Sequence, residues 1–140
     1  MTLDLSSLEK GISALSRAIS EAQSEKFMSS LTDNQREVVR AGVIQNFEFT
    51  FELCWKFIQR WIQVNKTPED AEPQTRKELF RFAARYGLVS DPVAWFKYAE
   101  ARNLTVHTYE KANAEKVYKT AVDFISDAKY LLKSLKEKND

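Results

Sequence analysis

The segment ARNLTVHTY, residues 101–109, contains the side chains best suited to proton transfer and phosphate chemistry. His107 is the single histidine of the chain, and an imidazole accepts or releases a proton near neutral pH. Arg102 offers a permanently charged, planar set of donors that fits phosphate oxygens. Asn103 is able to orient either the histidine or the phosphate. The segment therefore fits a site for proton transfer beside a phosphate group without requiring one.

The helix expected over residues 92–106 has one apolar side, which the polar residues of this segment interrupt. At 100° per residue, Arg102 and Asn103 fall inside the apolar stripe and His107 falls at its edge. The other members of the stripe are Trp95, Phe96, Ala99 and Val106. Polar groups on a buried face are unfavourable unless they have partners. This face therefore either closes a polar network or borders a cleft.

Two carboxylates on another helix are candidate partners of the arginine. Glu48 and Glu52 lie one turn apart on the polar strip of a long helix expected over residues 33–64. Either one can pair with Arg102, and paired carboxylates also perform acid–base chemistry, although on a helix they more commonly form a solvated face. We retain both as possible support for the site. Because the motif holds no carboxylate cluster, we expect no metal ion and no cofactor.

The long helix is apolar on two sides, which predicts that it is covered on two sides. Its first stripe, expected in the core, is Ile44, Phe47, Phe51, Trp55, Ile58 and Ile62. Its second stripe contains Phe49, Leu53, Phe57, Trp61 and Val64, of which the first four are our predicted homodimer surface. A single copy of the chain has one histidine, whereas two copies across a two-fold axis supply one for each proton transfer.

Helix signals elsewhere predict an all-α protein, with 3 glycines and 3 prolines in 140 residues. Capping boxes at Thr32 and Thr75 start two helices, Asp91 and Pro92 start another, and Asn113 is the expected cap of the last. The four long helices span residues 4–24, 33–64, 92–106 and 113–136, and a short one spans 75–86. Residues 24–30 and 65–73 are expected connectors, with Pro68 and Pro73 blocking helix continuation. These lengths suit a four-helix bundle with one additional short helix, in a single domain over residues 1–140.

The composition restricts the classes of function. Lys and Arg number 21 against 20 Asp and Glu, a net charge of +1, which argues against general nucleic-acid binding and DNA as a partner but leaves room for a specific contact. The one cysteine, Cys54, excludes an intrachain disulfide and suits an apolar core position. No apolar run resembles a signal peptide or a membrane span, so we expect a cytoplasmic protein without a membrane partner.

The spacing Arg102-Asn103-x-x-x-His107-x-Tyr109 resembles the R-x4-H-x-Y motif of the HEPN superfamily, specifically its HepT-like branch. The sequence FEFTFELCWK, residues 47–56, is similar to the central-helix signature of that family. Together with the helix order, the resemblance covers nearly the whole chain. It implies an up-down antiparallel helical bundle that forms a homodimer, with two motifs facing a shared cleft.

The resemblance also implies a separately encoded minimal nucleotidyltransferase as partner. In toxin–antitoxin members of the branch, the HEPN protein is a metal-independent ribonuclease, and the transferase adenylylates the tyrosine of the motif, here Tyr109. From the residues alone, Tyr109 is an exposed loop tyrosine after a helix end. An AMP group on it would place a bulky anion beside Arg102 and His107 and would block RNA.

Two alternatives to the ribonuclease remain. In one, the chain is a non-catalytic substrate-binding subunit that presents a nucleotide or another substrate to the transferase. In the other, it is a helical interaction protein with a degenerate site. The chain carries no Gly-Ser nucleotide loop with paired aspartates, so we do not expect it to be the transferase itself.

Overall fold

A computed structural model describes residues 2–139, and every regular element in that range is helical. Met1 and Asp140, the ends of the predicted domain, lie outside the described residues. The α-helices are α1 (Ser6–Gln23), α2 (Glu25–Ser29), α3 (Asp33–Asn65), α4 (Pro68–Ala71), α5 (Arg76–Arg85), α6 (Pro92–Leu104) and α7 (Lys111–Glu137). A 3-10 turn, Thr105–His107, joins α6 to the segment before α7. Within residues 2–139, none of these helices has both the length and the apolar character needed to cross a membrane.

The start of α3 and its first apolar stripe agree with prediction. Thr32 and Gln35 form the complete capping box, with each side chain bonded to the backbone N–H of the other residue at 3.2 and 2.9 Å. The stripe is buried except at Trp55, which is half-buried. It packs on α1 and α7, whose own apolar faces are fully covered. One continuous hydrophobic core therefore surrounds this helix.

The second apolar stripe of α3 is divided, which corrects part of the predicted dimer surface. Phe57 and Trp61 are only 2% and 5% exposed, so they belong to the core of a single chain. The chain after α3 folds back over this end, where Gln59 Nε2 donates to the carbonyl of Ala71 at 2.8 Å. Phe49, by contrast, is 59% exposed. Sequence periodicity shows which residues of a helix are apolar but not what covers them. The segment that folds over this end of α3 was expected to be only a connector, so the division was not predicted.

Close packing of α1 on α3 explains the half-buried state of Leu53. Thr50 Oγ1 donates to the carbonyl of Gly11 at 3.1 Å, and a Cβ at position 11 would lie 3.0 Å from Leu53 Cδ1. Glycine therefore permits the two helices to approach at this point. Leu53 is covered mainly by α1 of its own chain, which leaves Phe49 as the exposed aromatic of the predicted dimer surface.

Both expected connectors contain a short helix. Ser24 caps α2 through a hydrogen bond from the backbone N–H of Phe27 at 3.2 Å. Thr67 caps α4, and Pro68 is its first residue. The first position of a helix makes no intrahelical N–H bond, so the missing N–H of proline costs nothing there. As expected, neither long nor short helix continues through a proline, since α3 ends at Asn65 before Pro68 and α4 ends at Ala71 before Pro73; the start of a new helix at Pro68 was not predicted.

An aromatic cluster holds α6 against the core. Trp95 is 1% exposed and lies 5.5 Å, between ring centroids, from Phe124 of α7 and also from Phe80 of α5. Tyr98 meets Phe124 edge to face, and its hydroxyl donates a hydrogen bond to Asp127. The expected cap at Asp91 is present, with Val93 N bonded to Asp91 Oδ1 at 3.0 Å. These contacts fix the position of α6, whose other end carries the motif.

Candidate functional site

α6 ends at Leu104, two residues after the arginine of the motif. Thr105 Oγ1 donates back to the carbonyl of Arg102 at 2.7 Å, a local hydrogen bond that competes with continued helix. The 3-10 turn then carries His107 away from the line of α6. His107 therefore does not lie on α6, at the edge of whose apolar stripe it was expected.

Arg102 lies between α3 and the turn. Its Nε donates to Glu52 Oε1 at 3.0 Å, and its Nη2 lies 3.5 Å from Glu48 Oε1. Its Nη1 donates to Thr105 Oγ1 at 3.1 Å. Both candidate glutamates thus contact Arg102, and the arginine links the long helix to the turn that ends at His107.

Two further residues belong to this cluster and were not identified from the sequence. Trp55 Nε1 donates to Glu52 Oε2 at 2.9 Å, and the guanidinium carbon of Arg76 lies 3.7 Å from the centroid of the Trp55 ring. Partial burial lowers the pKa of Arg76, while the Glu52 carboxylate raises it and Arg102 lowers it further. Periodicity had assigned Trp55 to the core. Nothing in the sequence links Arg76 to a motif 26 positions later.

His107 and Tyr109 lie side by side on the exposed turn. Tyr109 Oη is 3.4 Å from His107 Nδ1, and the two rings meet edge to face with centroids 5.9 Å apart. Tyr109 is 78% exposed. Asn113 Nδ2 donates to the carbonyl of His107 at 3.2 Å, so it ties the turn to α7. The cap predicted at Asn113 is wrong, because α7 already begins at Lys111.

The remaining predicted member of the motif, Asn103, is exposed. It follows Arg102 by 100° around α6, and this rotation takes it out of the contact with α3 and into solvent. Val106, predicted in the buried stripe, is 68% exposed because the 3-10 turn changes its direction. The structure therefore forms two groups of contacts. One joins Arg102 to Glu48 and Glu52, and the other joins His107 to Tyr109.

A groove of about 1040 Å³ runs beside the turn, between the first half of α3 and the start of α7. Tyr109, Thr105 and Glu48 line the end of the groove nearest the motif. The charged side chains along the rest of the groove are Asp33, Arg36, Glu37, Arg40, Lys111, Glu115 and Lys119. Both signs of charge are present, so the groove is not a purely cationic track. In the described part of the chain, no group of three or more His, Cys, Asp or Glu side chains is placed to hold a metal ion.

The arrangement supplies the groups for chemistry at a phosphate. A guanidinium has five N–H donors, and hydrogen bonds to Glu52 and Thr105 use two of those of Arg102 within residues 2–139. Nη2 also lies 3.5 Å from Glu48 Oε1, and the donors that do not face a carboxylate are available to phosphate oxygens. The exposed imidazole of His107 can exchange protons with a ligand. The Tyr109 hydroxyl is an accessible nucleophile beside that imidazole.

Comparisons with known proteins agree with the motif. Residues 3–137 match the family model "Nucleotidyltransferase substrate binding protein like". A probable ribonuclease HepT of Haemophilus influenzae is 30% identical over 138 residues, which cover 98% of this chain and 94% of that protein. A Haemophilus influenzae structure reported as the fold of a substrate binding domain of a nucleotidyltransferase superposes with a TM-score of 0.89, at 29% identity, over 95% of this chain and 99% of that one. A Thermus thermophilus crystal structure superposes with a TM-score of 0.71, at 27% identity, over 91% and 98% of the two chains.

Proposed function

The chain belongs to the HepT-like family of nucleotidyltransferase substrate binding proteins, and from this premise we propose that it is a metal-independent ribonuclease that a partner nucleotidyltransferase silences by adenylylating Tyr109. The two proteins would form a two-component system of the toxin–antitoxin type. The observation that carries the proposal is the 3.4 Å separation of Tyr109 Oη and His107 Nδ1. A group attached to that hydroxyl lies beside the imidazole that the reaction needs.

In the proposed reaction, the 2′-OH of RNA attacks the adjacent phosphorus, and the bond to the 5′-oxygen of the next nucleotide breaks. His107 of one copy accepts the proton of the 2′-OH, and His107 of a second copy protonates the departing 5′-oxygen. Arg102 stabilises the extra negative charge of the phosphorane through its remaining N–H donors. Glu48 and Glu52 hold the guanidinium in place. Asn103, which is exposed beside the arginine, is available to orient the RNA phosphate.

Adenylylation would act as an off switch through sterics and charge. The Tyr109 oxygen attacks the α-phosphorus of ATP, pyrophosphate leaves, and the phenolic proton is released. The product carries a negative phosphodiester and an adenosine next to His107. Because Tyr109 is 78% exposed, the transferase reaches the hydroxyl without unfolding the turn. The attached group then occupies the space that RNA requires and offsets the positive charge of Arg102.

A homodimer follows from the chemistry, because one chain supplies one histidine. We propose that the dimer surface includes Phe49 and Val38, which are 59% and 71% exposed. Eleven residues separate them on α3, about three turns, so they lie on the same face.

Phe49→Asp is expected to give a folded monomer, as measured by sedimentation and circular dichroism. Phe57→Asp is the matched control, because the same change at a buried site is expected to unfold the chain. If Phe49→Asp remained a folded dimer, that result would contradict the proposed surface.

Cleavage of single-stranded RNA in EDTA by the purified, unmodified dimer tests the activity. We expect His107→Ala and Arg102→Ala each to lower the rate by about 10²-fold or more, which is the usual contribution of general acid–base and charge-stabilising groups. Arg17→Ala is the control, because Arg17 bonds Ser13 on α1, and its rate should equal that of the wild type. Intact RNA at high dimer concentration would refute the ribonuclease.

Intact mass after co-expression with the proposed partner nucleotidyltransferase tests the modification. The wild type should gain the mass of an adenylyl group and lose RNA cleavage, whereas Tyr109→Phe should gain none and stay active. Tyr130→Phe is the control, since Tyr130 is also exposed but lies far along α7 from the motif. Equal modification of the wild type and of Tyr109→Phe would refute Tyr109 as the acceptor.

A second function, presentation of a nucleotide or other substrate to the transferase, is favoured by the groove beside Tyr109. Its volume of about 1040 Å³ and its mixed charges suit a polar small molecule better than a long polyanion. In this case the transferase should modify its target only when this chain is present. Equal transfer rates with and without the chain would exclude it.

A further inference from the structure

Three side chains from two helices outside the motif form a connected cluster behind Arg102. Arg76, the first residue of α5, stacks on the ring of Trp55 at 3.7 Å. Trp55 Nε1 donates to Glu52 Oε2 at 2.9 Å, and Glu52 Oε1 accepts from Arg102 Nε at 3.0 Å. Arg102 Nη1 then reaches Thr105 on the turn. A continuous series of contacts thus joins α5 to the segment that carries His107.

We propose that Trp55 and Arg76 are positioning residues of the site, which hold Glu52 so that Glu52 aligns the guanidinium of Arg102. The inference rests on the proposed function, because the activity that it affects is RNA cleavage. It gives α5, which lies outside the four long helices, a role in the chemistry.

Glu52 needs such a restraint because its side chain is 30% exposed and has three rotatable bonds. The Trp55 N–H and the Arg102 Nε–H bind its two carboxylate oxygens separately, so one rotamer satisfies both donors. With the Trp55 donor removed, Oε2 turns to water and the carboxylate has alternative rotamers. Arg102 then loses the fixed acceptor that orients it.

Arg76 acts one contact further away. Its planar guanidinium covers the Trp55 ring, which is itself only half-buried, and this stacking restrains the direction of the indole N–H. Arg81, on the same helix, stacks instead on Phe96 at 5.3 Å. The two arginines therefore make the same kind of contact with different aromatic residues, and the one beneath Arg76 is the residue that donates to Glu52.

Trp55→Phe removes the N–H and keeps an aromatic ring beneath Arg76. We expect kcat for RNA cleavage to fall about tenfold with little change in KM, because binding persists while the charge-stabilising group is misaligned. Trp61→Phe makes the same chemical change on the same helix. Trp61 Nε1 is buried and has no hydrogen-bond partner among the described residues, so this control keeps kcat. A normal kcat in Trp55→Phe would overturn the proposal.

A double-mutant cycle separates positioning from a general effect on the fold. If Trp55 acts through Glu52, Trp55→Phe should produce no further loss of kcat in the Glu52→Gln background. Additive losses would mean that the two residues act independently and would overturn the proposal. Arg76→Ala should lower kcat severalfold, whereas Arg81→Ala should leave it unchanged. Equal losses of kcat in Arg76→Ala and Arg81→Ala would show that Arg76 has no specific effect on the site.

The Nε–H resonance of Arg102, followed by ¹⁵N NMR, decides the inference separately from RNA cleavage. It should shift in Trp55→Phe and in Arg76→Ala but not in Arg81→Ala, since only the first two changes disturb its acceptor. If wild-type protein leaves RNA intact, the proposed function fails, and a shifted resonance still supports the positioning contacts. If the wild type cleaves RNA and the resonance stays in place in both variants, the proposed function stands and the inference is overturned.

Discussion

The two ends of α6 are held in different ways. At its first turns, Trp95 is 1% exposed and packs on aromatic rings from two other helices. At its last turn, Arg102 is held by a hydrogen bond and ion pairs to carboxylates of α3, and beyond it Val106 and Tyr109 are 68% and 78% exposed. One helix thus connects a packed aromatic core to a turn held by polar contacts.

The difference separates what places the motif from what orients it. Apolar packing is strong and non-directional, so the aromatic end determines where α6 lies. Hydrogen bonds and ion pairs are directional, so the polar end determines how Arg102 and the turn are oriented. A site built in this manner can lose its chemistry without losing its fold, because the exposed end contributes little to global stability.

The largest expected effect is on the aromatic end. Trp95→Ala should lower the free energy of unfolding by about 3–5 kcal/mol, because it leaves a cavity among Phe51, Phe80 and Phe124. Denaturant unfolding followed by circular dichroism measures this loss. Val93→Ala, two residues earlier and 54% exposed, should change stability by less than about 0.5 kcal/mol. Equal effects at the two positions would show that the aromatic cluster does not hold α6.

An intermediate effect on the free energy of unfolding is expected at Tyr98, which makes a polar contact at the packed end of α6. Tyr98→Phe removes the hydrogen bond to Asp127 and should cost about 1–2 kcal/mol at neutral pH. Burial, with the bond to Asp127, raises the pKa of Tyr98 in the folded state. The folded chain therefore holds this proton more tightly than the unfolded chain, and the associated stability is complete below about pH 10 and decreases above it. Unfolding measured at several pH values should show the difference between the two proteins shrinking above pH 10, and a difference that grew there would contradict this assignment.

The sequence predicted the parts of the molecule that depend on local signals. The Thr32 capping box, the Asp91 cap and the first stripe of α3 are confirmed, because each depends on residues within a few turns of one another. The R-x4-H-x-Y spacing located the motif and led to the family. The sequence offered Glu48 and Glu52 as candidate partners of Arg102, with a solvated face as the alternative, and the structure shows both in contact with it.

The remaining features depend on contacts between distant segments. Phe57 and Trp61 are buried because the chain after α3 folds back over them, and a periodic pattern does not specify what covers a face. At the start of the 3-10 turn the backbone N–H and the side chain of Thr105 both bond the carbonyl of Arg102, an arrangement for which the sequence carries no distinct signal. Arg76 joins the site only because α5 lies beside Trp55.

The smallest expected global effect is at the turn itself. Thr105→Val keeps the shape of the side chain but removes the hydrogen bond to the Arg102 carbonyl and the acceptor for Arg102 Nη1. We expect a loss of at most about 1 kcal/mol in unfolding free energy, since the bonds are only partly buried. Hydrogen exchange of the amides in residues 105–109 should nevertheless become faster, because the turn loses its attachment to α6.

Thr108→Val is the matched control for this prediction, because within residues 2–139 the one hydrogen bond of Thr108 Oγ1 goes to the carbonyl of Thr105, at 3.3 Å, and not to Arg102. Exchange in the turn should be less affected than in Thr105→Val, and RNA cleavage should be closer to that of the wild type. If Thr105→Val instead destabilised the whole chain as much as Trp95→Ala, the two ends of α6 would form one cooperative unit. The polar end would then help to hold α6 in place as well as orient the motif.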